Sequence, residues 1–211
     1  MTFYIPRHFR IDDREALESF VATHAFGTLV STGEGGISVS HLPFLPDRGD
    51  DGRLRLLGHM ARANAHWQEI EAADEVLAVF EGPHAYVSPG WYAHHPSVPT
   101  WNYAVVHARG KARLLPAEEL PALLDRLSRL YEDGQPKPWR MQALPADFSR
   151  GMLQAIVGFE IAIDRLEGKF KLSQNRRRED VEGVAAALEA QGQEELARLM
   201  REHADRERES R

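Results

Sequence analysis

The sequence predicts a mainly β, α+β chain, an antiparallel barrel with peripheral helices and a helical C-terminal tail. Three observations predict it: strand-like stretches of even length parted by Gly- and Asp-rich turns, apolar residues at helical spacing in a few segments, and an Arg-, Glu- and Ala-rich end after Asn175. At 211 residues and 43% hydrophobic, the chain can bury one substantial core, or one core with a small appendage.

Taken in order, Asp12 to Ala25 opens on acidic residues and spaces Ala16, Leu17, Phe20 and Val21 along one face, so it reads as an amphipathic helix ending before Gly27. Strands follow at Gly27 to Ser31, Gly36 to Phe44, Arg53 to His59 and Glu75 to Glu81, with turn chemistry at TGEGG and DRGDDG. A long strand, Tyr103 to Leu115, passes through Gly110, which suits a bend or bulge. From Pro116 the period becomes helical, with Leu120, Leu123, Leu124, Leu127 and Leu130 on one face, and a short helix over Ala146 to Leu153 completes an insertion of about 116–153. Val157 to Leu166 alternates as a last strand. Beyond it, Val184, Ala187, Leu188, Leu196 and Leu199 form a stripe interrupted near Gly192, which predicts two helices with fraying after about Arg201. The expected organisation is one barrel domain over 1–178 and a charged helical segment over 179–211.

Composition excludes several functions. With no cysteine there is no disulfide, thiolate metal site or cysteine nucleophile. No apolar run reaches the roughly 20 residues of a membrane span, and MTFYIPRHFRIDD lacks a secretion signal's apolar core, so a cytoplasmic location is expected. A net charge of -6 disfavours a general nucleic-acid-coating surface, although Arg176, Arg177 and Arg178 form a local basic cluster. His94 and His95 are adjacent and point apart in an extended chain, and no HExxH pattern occurs, so no metal site is predicted. Ser40 and His41 are strand neighbours facing opposite ways, a poor nucleophile–base pair.

Three stretches are chemically dense: GHMARANAHW (Gly58 to Trp67), VPTWNYAVVHARG (Val98 to Gly110) and KFKLSQNR (Lys169 to Arg176). Aromatic, amide and cationic groups together suit a flat, phosphorylated cofactor, which needs cations and polar hydrogens at one end and an apolar or aromatic wall at the other. Arg62, following a strand and preceding a short helix, is the first candidate phosphate ligand, with Ala63 and Asn64 beside it; helix capping is an equal role for Asn64, and packing beneath the helix is the role expected of Trp67. Trp101, Tyr103 and His107 share a strand face opposite Asn102, forming either a ligand wall or interface packing.

These motifs, together with FYIPRHF near the start and FEGPHAYVSPGWY (Phe80 to Tyr92), resemble the PaiB-like family of FMN-binding negative transcriptional regulators. The resemblance runs from about Phe3 to Arg178. It implies an FMN-binding split barrel of the pyridoxamine phosphate oxidase type, usually a homodimer with cofactor sites at the subunit interface. It further implies Ser40, His41 and Leu42 as flavin-ring contacts, Trp101 and Asn102 as further contacts, and Lys171 and Gln174 closing over the phosphate or the ring. Heme is the alternative cofactor, since some split-barrel relatives bind it. Three functions fit these expectations: a flavin-responsive repressor that would contact DNA, an FMN-dependent oxidoreductase with His41, His107 or Tyr103 as proton donor, and a heme-binding barrel.

Overall fold

The computed structural model describes residues 3–33, 35–49 and 51–209. Glu34 of the first predicted turn and Asp50 of the second lie outside the described residues, as do Met1 and Thr2. In chain order the elements are β1 (Arg10–Ile11), α1 (Arg14–Thr23), β2 (Phe26–Gly33), β3 (Gly36–Pro43), β4 (Leu45–Arg48), β5 (Leu54–Ala61), α2 (His66–Ala72), β6 (Val76–Val87), β7 (Thr100–Leu114), α3 (Leu120–Glu132), α4 (Ala146–Gln154), β8 (Ile156–Lys171), α5 (Arg178–Glu189) and α6 (Glu194–Glu209). The sheet has strand order β3-β2-β6-β7-β8-β5-β4, with β1 paired to β8. Pairings β2–β3, β2–β6, β4–β5, β5–β8 and β1–β8 are antiparallel.

The chain groups into two compact units, and β6, β7 and β8 each contribute to both. One unit comprises Val21–Phe80 and His107–Leu166. Its core is built on Phe44, whose ring meets Phe80 at 5.4 Å and Phe159 at 6.2 Å, both edge to face. Leu123 and Leu127 of α3 pack with Leu45, Leu57 and Leu115, so the insertion is anchored by its apolar stripe, while Leu130 at the end of that stripe is exposed. Gly110 lies within an unbroken β7 instead of at a bulge; a Cβ there would come within 1.8 Å of the Ala162 carbonyl oxygen, so close approach of backbone, not bending, requires glycine.

The other unit comprises Met1–Phe20, Glu81–Val106 and Glu167–Arg211. Residues 179–211 thus group with strand segments of the sheet. Val181, Val184, Ala185 and Leu188 of α5 are buried, as are Leu196, Ala197 and Met200 of α6, and Gly192 turns between the helices at φ 76°. Helix α6 continues past Arg201 to Glu209: Arg198 pairs with Glu202 at 2.8 Å, Arg178 reaches Asp205 at 3.3 Å, and Arg201 bridges Glu182 and Glu189 of α5.

Candidate functional site

Six of the ten sequence-derived site residues, Ser40, His41, Leu42, Arg62, Ala63 and Asn64, fall in the unit that contains Phe44. There β3 and the turn leading into α2 are joined by a polar network around His66, whose ring is buried at 4% exposure. His66 Nδ1 lies 2.8 Å from Ser40 Oγ and Nε2 lies 3.0 Å from Ser31 Oγ. Asn64 Nδ2 donates to Ser40 Oγ at 3.0 Å, and Asn64 Oδ1 accepts from the His66 backbone N–H at 3.1 Å. Asn64 therefore accepts from the first N–H of α2, while its amide nitrogen is held by β3. Burial lowers the His66 pKa, against a smaller upward pull from Glu69, which favours the neutral imidazole this network accommodates.

Arg62 occupies the 61–64 turn, closed by the Asn64 N–H on the Ala61 carbonyl. Its guanidinium lies flat against the α4–β8 junction: Nε donates to the Gln154 carbonyl at 2.9 Å and Nη2 to the Ile156 carbonyl at 3.0 Å. Nη1 has no hydrogen-bond partner among the described residues, so one edge of an exposed arginine faces outward already oriented. Trp67 donates from Nε1 to the Arg62 carbonyl at 3.1 Å, bracing the turn from the helix side. Ala63 is exposed, Leu42 is half-buried, and exposed His41 meets Thr28 Oγ1 at 3.0 Å.

The remaining four, Trp101, Asn102, Lys171 and Gln174, fall in the other unit. The alternation of β7 turns Asn102 inward at 1% exposure, where Nδ2 donates to Ser173 Oγ at 2.9 Å and approaches Met200 Sδ. Ser173 adopts φ 65°, so Asn102 braces an uncommon left-handed residue at the end of β8. Gln174 is likewise turned to the backbone, accepting from Leu172 N and donating to the Phe170 carbonyl. Lys171 donates to Thr100 Oγ1 and to the Trp101 carbonyl, and its pKa is lowered by burial and then by Lys169. Only Trp101 presents a large outward surface: with His84 and Tyr103 it lines a groove of about 360 Å³ that Glu81 borders.

Residues 3–165 match the protein family described as "Putative FMN-binding domain". The chain is also 38% identical over 186 residues to the Protease synthase and sporulation protein PAI 2 of Bacillus subtilis, a match covering 88% of this chain and 89% of that protein. The chain is a PaiB-like member of this FMN-binding family. Solved structures of the same fold include the FAD and Heme binding protein from Mycobacterium smegmatis (TM-score 0.59, 18% identity, 77% of this chain and 73% of that one). The flavocytochrome Anf3 from Azotobacter vinelandii is similar at TM-score 0.54, with 16% identity, over 79% of this chain and 72% of that one. The PaiB-like chain is thus a split barrel whose cofactor is a flavin.

The residues present suit a phosphorylated flavin. A phosphate monoester needs several N–H donors, and the 61–64 turn of the PaiB-like chain offers the free edge of Arg62 and one amide hydrogen of Asn64 that Ser40 does not take. Bound there, a flavin would supply reversible hydride and electron transfer, while the protein's part is to place and orient it. Ser31 and His66 were not among the predicted site residues. His66 sits inside GHMARANAHW, but its link to two serines on different strands is a tertiary fact that spacing alone cannot reveal.

Proposed function

We propose that this protein binds FMN, with Arg62 and Asn64 meeting the phosphate and the β3 segment of His41 and Leu42 running beside the ring, and that it works as a homodimer. The observation that carries the reading is the bond from Asn64 to Ser40, which ties the turn bearing the phosphate donors to the strand expected to flank the isoalloxazine. In a dimer the sites would be completed at the interface. An apolar edge supports this: Phe26, Ile37 and Val39 are 66, 73 and 53% exposed on the hairpin that ends the sheet. By family resemblance the role is repression of transcription in response to flavin, and at net charge -6 the DNA contact would be local or made through a partner.

The test is a titration of the purified protein with FMN, FAD and heme, followed by absorbance and flavin fluorescence. Saturable FMN binding tighter than FAD is expected, and no FMN binding would end the reading. Arg62→Ala should weaken FMN by about 1.5–3 kcal/mol, the worth of a charge-assisted bond; unchanged affinity would remove Arg62 from the site. A salt-dependent gel shift with sequence preference is the corresponding test of the regulatory role.

A further inference from the structure

We infer that His66 is a positioning residue: through Ser40 it fixes the carboxamide of Asn64 so that one amide hydrogen is held for the flavin phosphate. The inference deepens the FMN reading above and rests on it. Counting donors and acceptors leads to the assignment. Asn64 Oδ1 accepts from the His66 N–H, so the amide cannot flip without losing that bond. Its Nδ2 donates one hydrogen to Ser40 Oγ, whose own hydrogen is then directed to His66 Nδ1, 2.8 Å away. We assign the ring proton to Nε2, which donates it to Ser31 Oγ and leaves Nδ1 to accept. Every bond in the series Asn64 to Ser40 to His66 to Ser31 thus runs in one direction. Ser40, with its hydrogen and one lone pair used internally and its side chain buried, acts as the link and not as the ring contact that resemblance implied. The second Asn64 Nδ2 hydrogen remains, on the same turn as the unpaired Nη1 of Arg62.

Two near-isosteric variants separate positioning from packing. In His66→Asn the carboxamide can place an acceptor where Nδ1 stood, whereas in His66→Gln the polar group reaches toward Ser31 and the acceptor for Ser40 is lost. FMN affinity is expected to stay within about twofold of wild type in His66→Asn and to fall about tenfold in His66→Gln and His66→Ala, the scale of one hydrogen bond to a charged group. The double variant His66→Ala/Asn64→Ala should be no weaker than Asn64→Ala alone, because both remove the same donor. Equal affinities of the Asn and Gln variants, or additive losses in the double variant, would overturn the inference. A second readout needs no flavin: the Asn64 side-chain amide protons of the unloaded protein should exchange slowly in wild type and His66→Asn and quickly in His66→Gln. If wild-type protein fails to bind FMN, the functional reading falls, and this exchange difference alone decides whether His66 fixes Asn64.

Discussion

At the scale of single residues, the polar groups of the three dense stretches divide by what their side chains hold. Asn102 and Gln174 hold backbone and side chains of their own unit, while Arg62 keeps an outward edge. Asp47 illustrates how far ion pairing can shape one group. Arg126 beside it, with Arg55 also bonded to it, outweighs burial and lowers its carboxyl from the ordinary 3.8 to about 2. A carboxyl with a depressed folded pKa stabilises the fold fully above its unfolded value, so this contribution should be complete above 3.8 and disappear as pH falls toward about 2. Asp47→Asn is expected to cost about 1–2 kcal/mol at neutral pH and to flatten the acid limb of stability, measured by urea unfolding at stepped pH. Its place between a strand and a helix marked Arg62 as a phosphate candidate and left Asn64 as cap or cofactor contact, but the inward turn of Asn102 follows from which β7 face meets the core, a fact of packing.

At the scale of elements, the periodic segments were legible and their ends were not. The predicted helix over Asp12 to Ala25 forms as α1 over Arg14–Thr23, and the break near Gly192 falls between α5 and α6. The strand predicted to end at Glu81 runs on through Pro83 to Val87, and the one predicted to end at Leu166 continues to Lys171, because pairing and neighbouring strands override the local signals of Gly, Pro and charge. Strand β4, with Pro46 inside it, carried no alternation to announce it and exists through its ladder with β5. Helix α5 is secured at its first turn by a contact equally invisible in sequence. Buried Asp180 accepts from the His94 backbone N–H at 2.9 Å and from the His94 ring at 3.1 Å. Burial raises the Asp180 pKa, but the His94 N–H groups and charge, with the Ala93 N–H, outweigh it and leave the carboxyl ionised. Asp180→Ala should therefore cost about 2–3 kcal/mol and speed amide exchange over Pro89–Trp91 and the start of α5, leaving exchange within β5 unchanged.

At the scale of the whole molecule, the exposed edge is where the proposed homodimer would form. Ile37 and Val39 project from the terminal strand of the sheet, where a charge is the usual protection against edge pairing. Ile37→Lys/Val39→Lys should convert a dimer to a monomer in light scattering without lowering the melting temperature of the isolated chain by more than a few degrees; a dimer that persists would place the interface elsewhere. The grip of Arg62 on the Gln154 and Ile156 carbonyls carries a further consequence. One guanidinium serves both an outward edge and a chain junction more than ninety residues along the sequence, so the two are thermodynamically linked. If a bound anion favours the arginine pose that closes the junction, closing the junction must favour the anion by the same factor. If the cofactor phosphate binds Arg62 as proposed, the point where α4 gives way to β8 should report occupancy as protection from protease when the cofactor is present.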